Sequence, residues 1–111
     1  MKDRRSGRLR PHVLVAARHE GQHYLVSMLG EGSNWVQDVR VTRGAAFIKS
    51  RRLRPVMLTE IARDQRAPIL KAWCQVATSG RRHLPVSYDA PVSAFEAIAA
   101  DYPVFRIDAL P

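Results

Sequence analysis

The segment Arg4-Arg5-Ser6-Gly7-Arg8-Leu9-Arg10 holds the residues best suited to chemistry. It joins guanidinium forks, a hydroxyl and a glycine that lets backbone approach a ligand, the groups that bind phosphate. Basic runs this short also occur as solvated tails, so composition alone leaves both readings open. Conventional catalytic groupings are absent: there is no paired-cysteine metal motif, no G-x-S-x-G, no P-loop and no G-x-G-x-x-G. His12, His19, His23 and His83 lack the close spacing with carboxylates or cysteines that a zinc site needs, so strand-edge or solvent-facing roles are expected and no metal is. The single cysteine, Cys74, cannot form an internal disulfide, and within ILKAWCQVA it reads as a buried small hydrophobe.

The charge around that segment is lopsided. Residues 1–54 carry 12 Lys or Arg against four acids, which is the whole net charge of +8, whereas residues 55–111 balance six against six. Such a field gathers anions on one side of a molecule: nucleic acid, an anionic lipid surface or a phosphorylated small molecule. A basic surface kept for solubility is the plainer alternative. At 111 residues, 46% hydrophobic and 25% charged, the chain suits one globular domain spanning residues 1–111. No apolar run approaches the roughly 20 residues that span a bilayer, and MKDRRSGRLR has no apolar segment behind it to make a signal peptide, so a cytoplasmic location is expected.

The elements that must position these groups follow from periodicity. HVLVAARH and HYLVSML predict a hairpin around a glycine-containing turn, and AAFIKS with PVMLTEI predicts a second around the basic turn RRLR. Between them Ser33 is placed to cap a short helix ending near Gly44 and burying Trp35, Val36 and Val39. Asp64 is expected to cap a helix running to about Ala77, with Pro68 in its first turn and Gly80 as its stop. Residues 81–91 predict a loop. Ser93 and Glu96 form an S-x-x-E capping box before Phe95, Ile98, Ala99 and Tyr102, Pro103 ends that helix, and VFRI makes a last strand. Hairpins followed by helices indicate an α+β fold, a small antiparallel barrel or an open sheet. Arg51, Arg52 and Arg54 near a hairpin tip would discourage edge-to-edge aggregation.

Arg4 to Gly7 with Arg10, the hairpin EGQHYLVS and the stretch GEGSNWVQDVR together resemble the deazaflavin-dependent nitroreductase family. Its members show a G-[RK]-[RK]-[ST]-G turn followed by Pro-Arg, a dG..ylVas hairpin and an hW..Nl helix. RAPILKAW and FEAIAADYPVFRI are similar to the tail of one branch, so the resemblance covers nearly the whole chain. It implies a split β-barrel that binds reduced coenzyme F-420 and passes hydride to quinones, nitroaromatics or similar electron-poor acceptors. It also implies phosphate ligands at Arg4, Arg5, Ser6, Gly7 and Arg10, and approach to the ring system at Ser27, Gly30, Gly32 and Trp35. For Trp35, core packing on the buried face of its helix is the alternative. The chemistry would belong to the cofactor, so no catalytic residue is assigned and the missing triad is expected. That coenzyme is a polyanion, which suits the basic first half.

Three departures matter. Asp3 stands where the family's turn opens with glycine, and Asp38 replaces the helix asparagine. Family members carry a helix and a strand before this turn, so the resemblance implies an amino-terminally shortened barrel with an open edge, which a second subunit could cover. Homodimerisation is therefore expected. Within the same fold, FMN or haem could replace the deazaflavin. A nucleic-acid-binding module is disfavoured because RRSGRLR and KSRRLR contain no aromatic residue for base stacking.

Overall fold

The computed structural model describes residues 12, 14–49 and 51–110. Strands β1 (Ala16–His19) and β2 (Gln22–Val26) form the first expected hairpin, and β3 (Ala45–Lys49) and β4 (Leu53–Glu60) the second. Helix α1 (Asn34–Val41) lies between them, and α2 (Ala67–Val76) and α3 (Val92–Glu96) follow. The last strand, β5 (Val104–Ala109), inserts between the hairpins, giving a five-stranded antiparallel sheet in the order β1-β2-β5-β4-β3. The α+β architecture stands as expected. Among the described residues the sheet is open, with β1 and β3 as its edges.

Register assigns the sheet two faces. Tyr24 pairs with Ala17 and Arg106, while Leu25 pairs with Ala16 and Phe105, so alternate residues of β2 point to opposite sides. On one side Ala17, Tyr24, Val26 and Val104 pack against Ile69, Leu70, Trp73 and Cys74 of α2 and Phe95 of α3. On the other, Leu25, Ala46, Val56, Leu58 and Phe105 pack against Trp35, Val36 and Val39 of α1. Pro55 is tolerated within β4 because β5 reaches only to Ala109, opposite Val56. The missing N–H of Pro55 therefore costs the β4–β5 ladder nothing.

The helix starts correct two expectations. Arg66, not Asp64, occupies the N-cap position of α2; its backbone is helical, so the single 3-10 turn at Arg63–Gln65 runs on into the helix and leaves no extended residue for a cap. Pro91 supplies the extended N-cap residue of α3, so the helix begins at Val92, Ser93 falls inside it and the capping box does not form. The helix stops at Glu96, and a 3-10 turn at Ala99–Asp101 carries the apolar spacing onward with Phe95 and Ala99 buried. Ser33 does occupy the N-cap of α1, but its side chain makes no capping hydrogen bond. A further 3-10 turn, Gly80–His83, occupies the start of the expected loop.

Candidate functional site

A cavity of about 700 Å³ opens where the chain enters β1 and leaves β2. His12, Leu14 and Val15 form one wall, Val26, Met28 and Leu29 the floor, Gly32 to Trp35 a second wall, and Trp73 with Ser79 and Gly80 a third. It therefore bridges the first turn of α1 on one side of the sheet and the end of α2 on the other. Its volume lies within the roughly 300–1,000 Å³ of small-molecule sites, and its lining combines apolar side chains with a few polar groups, as such sites do. The first N–H groups of an α-helix lack intrahelical acceptors and carry partial positive charge, and those of α1 belong to cavity-wall residues.

Trp73 is buried against the core yet faces the cavity, and its indole Nε1–H donates to the Val15 carbonyl at 3.2 Å. A buried indole requires such an acceptor, and this one ties α2 to the segment leading into β1. Trp35 has a similar double position: it lines the cavity and packs on Phe105, ring centroids 5.5 Å apart and planes inclined at 59°. Trp35 is therefore a core residue that also forms part of the cavity wall.

The loop between β2 and α1 is held from within and from behind. The buried Ser27 donates its hydroxyl to the Gly30 carbonyl at 2.6 Å, and its backbone N–H donates to the Pro103 carbonyl at 2.9 Å. Gly30 takes φ +86°, and a Cβ there would meet the Asp101 carbonyl at 3.2 Å, so both conformation and space favour glycine. Behind the loop, Arg40 of α1 donates to both oxygens of Glu31, at 2.7 and 3.1 Å, and to both oxygens of Glu60, at 3.0 and 2.8 Å. Arg66, almost wholly buried, donates to Glu60 at 3.1 Å and to the Ile61 and Ala99 carbonyls at 2.8 and 3.0 Å.

Charge follows from these partners. Hydrogen bonds from Arg40 hold the Glu31 carboxyl below the ordinary value of 4.5. Those same bonds, to Glu60 first and Glu31 second, push the Arg40 guanidinium up. Burial pushes Arg66 down, opposed by the Glu60 and Glu31 carboxylates. The Cys74 thiol is raised by burial, with Arg81 opposing, which suits the small buried hydrophobe expected of it.

Gly32 and Trp35 of the expected ring-approaching residues line the cavity, whereas Ser27 and Gly30 shape the loop that carries them. Arg4, Arg5, Ser6, Gly7 and Arg10 lie outside the described residues, which resume at His12 on the cavity wall. Sequence reasoning missed the contributions of Leu14 and Val15, because HVLVAARH reads as strand throughout while pairing begins only at Ala16. It also missed Trp73 as a wall residue; periodicity marks its face as buried but cannot show that Val15 and Gly80 meet at its ring beside the cavity. Among the described residues no group of three His, Cys, Asp or Glu is arranged to hold a metal ion, and no helix is long and apolar enough to cross a membrane. Comparison with protein-family models, with curated proteins and with solved structures returns no match to this chain.

Proposed function

We propose that this protein is a deazaflavin-dependent oxidoreductase that uses the cavity between α1 and α2 to hold reduced coenzyme F-420 for hydride transfer to a quinone, nitroaromatic or similar electron-poor acceptor. The observation that carries the reading is the coincidence of Gly32 and Trp35, singled out by the family resemblance, with the wall of a ligand-sized cavity. The residues present fit the group. Trp35, Trp73 and Met28 offer the apolar, polarisable surfaces that would hold a planar ring, and Gly32 leaves room beside it. Arg4, Arg5, Ser6, Gly7 and Arg10 would hold the phosphodiester, with the first turn of α1 as a second favourable place for negative charge. When bound, the reduced deazaflavin supplies the hydride. The chain binds and orients it and excludes water from the ring face. Closure of the sheet into a split barrel, with a second subunit across its open edge, belongs to the same proposal.

Titration of the full chain with oxidised and reduced coenzyme, followed by its fluorescence, tests this reading. Saturable binding is expected, with Arg5→Ala weakening it by about tenfold, the equivalent of about 1.4 kcal/mol. Gly32→Leu is the sharper variant. A Cβ at Gly32 meets nothing within 4 Å, so the fold has room for an added side chain at the cavity wall. Its unfolding midpoint should stay that of the wild type while binding is lost. No binding at tens of micromolar coenzyme, or undiminished binding by Gly32→Leu, sinks the proposal; a purified protein coloured by FMN or haem transfers the cavity to that ligand.

A further inference from the structure

At the sheet edge opposite β1, the β3–β4 hairpin joins exposed apolar and cationic side chains that neither the cavity nor the core uses. Register places Ala45, Phe47 and Lys49 of β3 beside Met57, Pro55 and Leu53 of β4 on one face. This is the face that α2 and α3 cover further along the sheet, but they do not reach the hairpin: Phe47 remains 43% exposed and Leu53 51%. Lys49, Arg51, Arg52 and Arg54 are exposed around the hairpin tip, and the chain contains no acid from Val39 through Thr59. Among the described residues none of these four cations has an acidic partner within ion-pair distance.

We infer that this hairpin docks the protein on an anionic lipid surface, with Phe47 and Leu53 entering the headgroup boundary and Lys49, Arg51 and Arg52 at the lipid phosphates; Arg54, opposite Ile48, lies on the other face and adds only to the positive field. The chemistry matches on both counts. Cations near an anionic bilayer are drawn to it, and their long stems let apolar neighbours sink below the charged heads. A second copy fits worse. Antiparallel pairing of two β3 edges would set Arg43, exposed just before one β3, near Lys49 at the end of the other, like charge against like. Nucleic acid would reward the cations but not Phe47 and Leu53, which share a face with Lys49 beside the basic turn, and the patch offers one aromatic for stacking.

The test is co-sedimentation of the full chain with vesicles, either of phosphatidylcholine alone or of an equimolar mixture with phosphatidylserine, without any cofactor. Binding to the mixed vesicles and not to the neutral ones is expected. The double variant Arg51→Glu/Arg52→Glu should lower that binding by roughly 25-fold or more, at about fivefold per basic residue removed. Phe47→Ser/Leu53→Ser, whose side chains are about half exposed, should lower it by roughly tenfold while a cooperative thermal transition shows that the variant still folds. Equal binding to both vesicle types, no binding, or wild-type binding by either variant overturns the inference. So does loss of binding confined to Arg4→Glu/Arg5→Glu, which would move the lipid contact to the amino-terminal segment, or tighter binding of a DNA duplex than of the vesicles. Because the hairpin and the cavity lie at opposite edges of the sheet, failure here leaves the cofactor reading standing, and the reverse.

Discussion

Gly44 shows how one residue can join two elements. It follows α1 at φ +93°, accepts from the Leu58 N–H at 2.8 Å, and donates to the Val39 carbonyl at 2.9 Å. A Cβ there would lie 2.3 Å from the Leu58 carbonyl oxygen and 2.9 Å from the Met57 sulfur, so a substitution meets both backbone strain and a clash with backbone. Gly44→Ala should therefore lose about 3 kcal/mol in urea unfolding, more than the helix-interior penalty of alanine-to-glycine changes. Trp73→Phe isolates a different term. It keeps most of the apolar surface but removes the donor to Val15, leaving a carbonyl at the cavity wall with one partner fewer. A loss of about 1 kcal/mol is expected in the same measurement, together with weaker ligand binding. The glycine's role was legible only in part: a helix ending near Gly44 follows from its sequence, but the contact with Leu58 depends on which strand lies against it.

The network of Glu31, Arg40, Glu60 and Arg66 works at the scale of elements, fastening the cavity loop, α1, the end of β4 and the start of α2 to one another. Its two arginines should differ in weight. Arg40 is a third exposed, and its ion pairs share their charges with water; Arg40→Met is expected to cost about 1 kcal/mol. Arg66 is nearly excluded from solvent, and Arg66→Met would leave two carbonyls and Glu60 short of a donor in a place water does not readily reach. About 3 kcal/mol should be lost, read by thermal or chemical unfolding. The network also sets an acid limit. Because the folded-state value of Glu31 lies below 4.5, its contribution is complete above that pH and is lost as pH falls through the depressed value. Glu31→Gln should flatten part of the acid decline of the unfolding midpoint, by a fraction of about 1 kcal/mol given the exposure of the carboxylate. Local signals placed the elements well but their ends poorly. The S-x-x-E pattern at Ser93 is a real cap chemistry, yet Pro91 breaks the backbone earlier and decides where α3 starts.

Across the whole molecule, β5 is the strand on which both hairpins depend. It pairs with β2 on one side and β4 on the other, and its Val104 and Phe105 project into opposite cores. Amides of β5 should therefore be the slowest of the sheet to exchange with solvent, with β1 and β3 faster along their open edges; comparable rates in β5 and β1 would contradict this order. The amino-acid sequence by itself determined the α+β class, two hairpins, the apolar faces of α1 and α2, the glycine loop and the lopsided charge, because each rests on local spacing or composition. Only the tertiary structure decided that β5 separates the hairpins, that Leu14, Val15 and Trp73 stand around one cavity with Gly32 and Trp35, and that Arg66 is buried. These depend on contacts between residues far apart in the chain, where strand partners are chosen by the packing of both faces at once and no short motif records the choice. The basic first half illustrates the division: its sign and total are in the sequence, whereas the separation of Arg40, held by two carboxylates, from the hairpin cations, which have no acidic partner among the described residues, exists only in the fold.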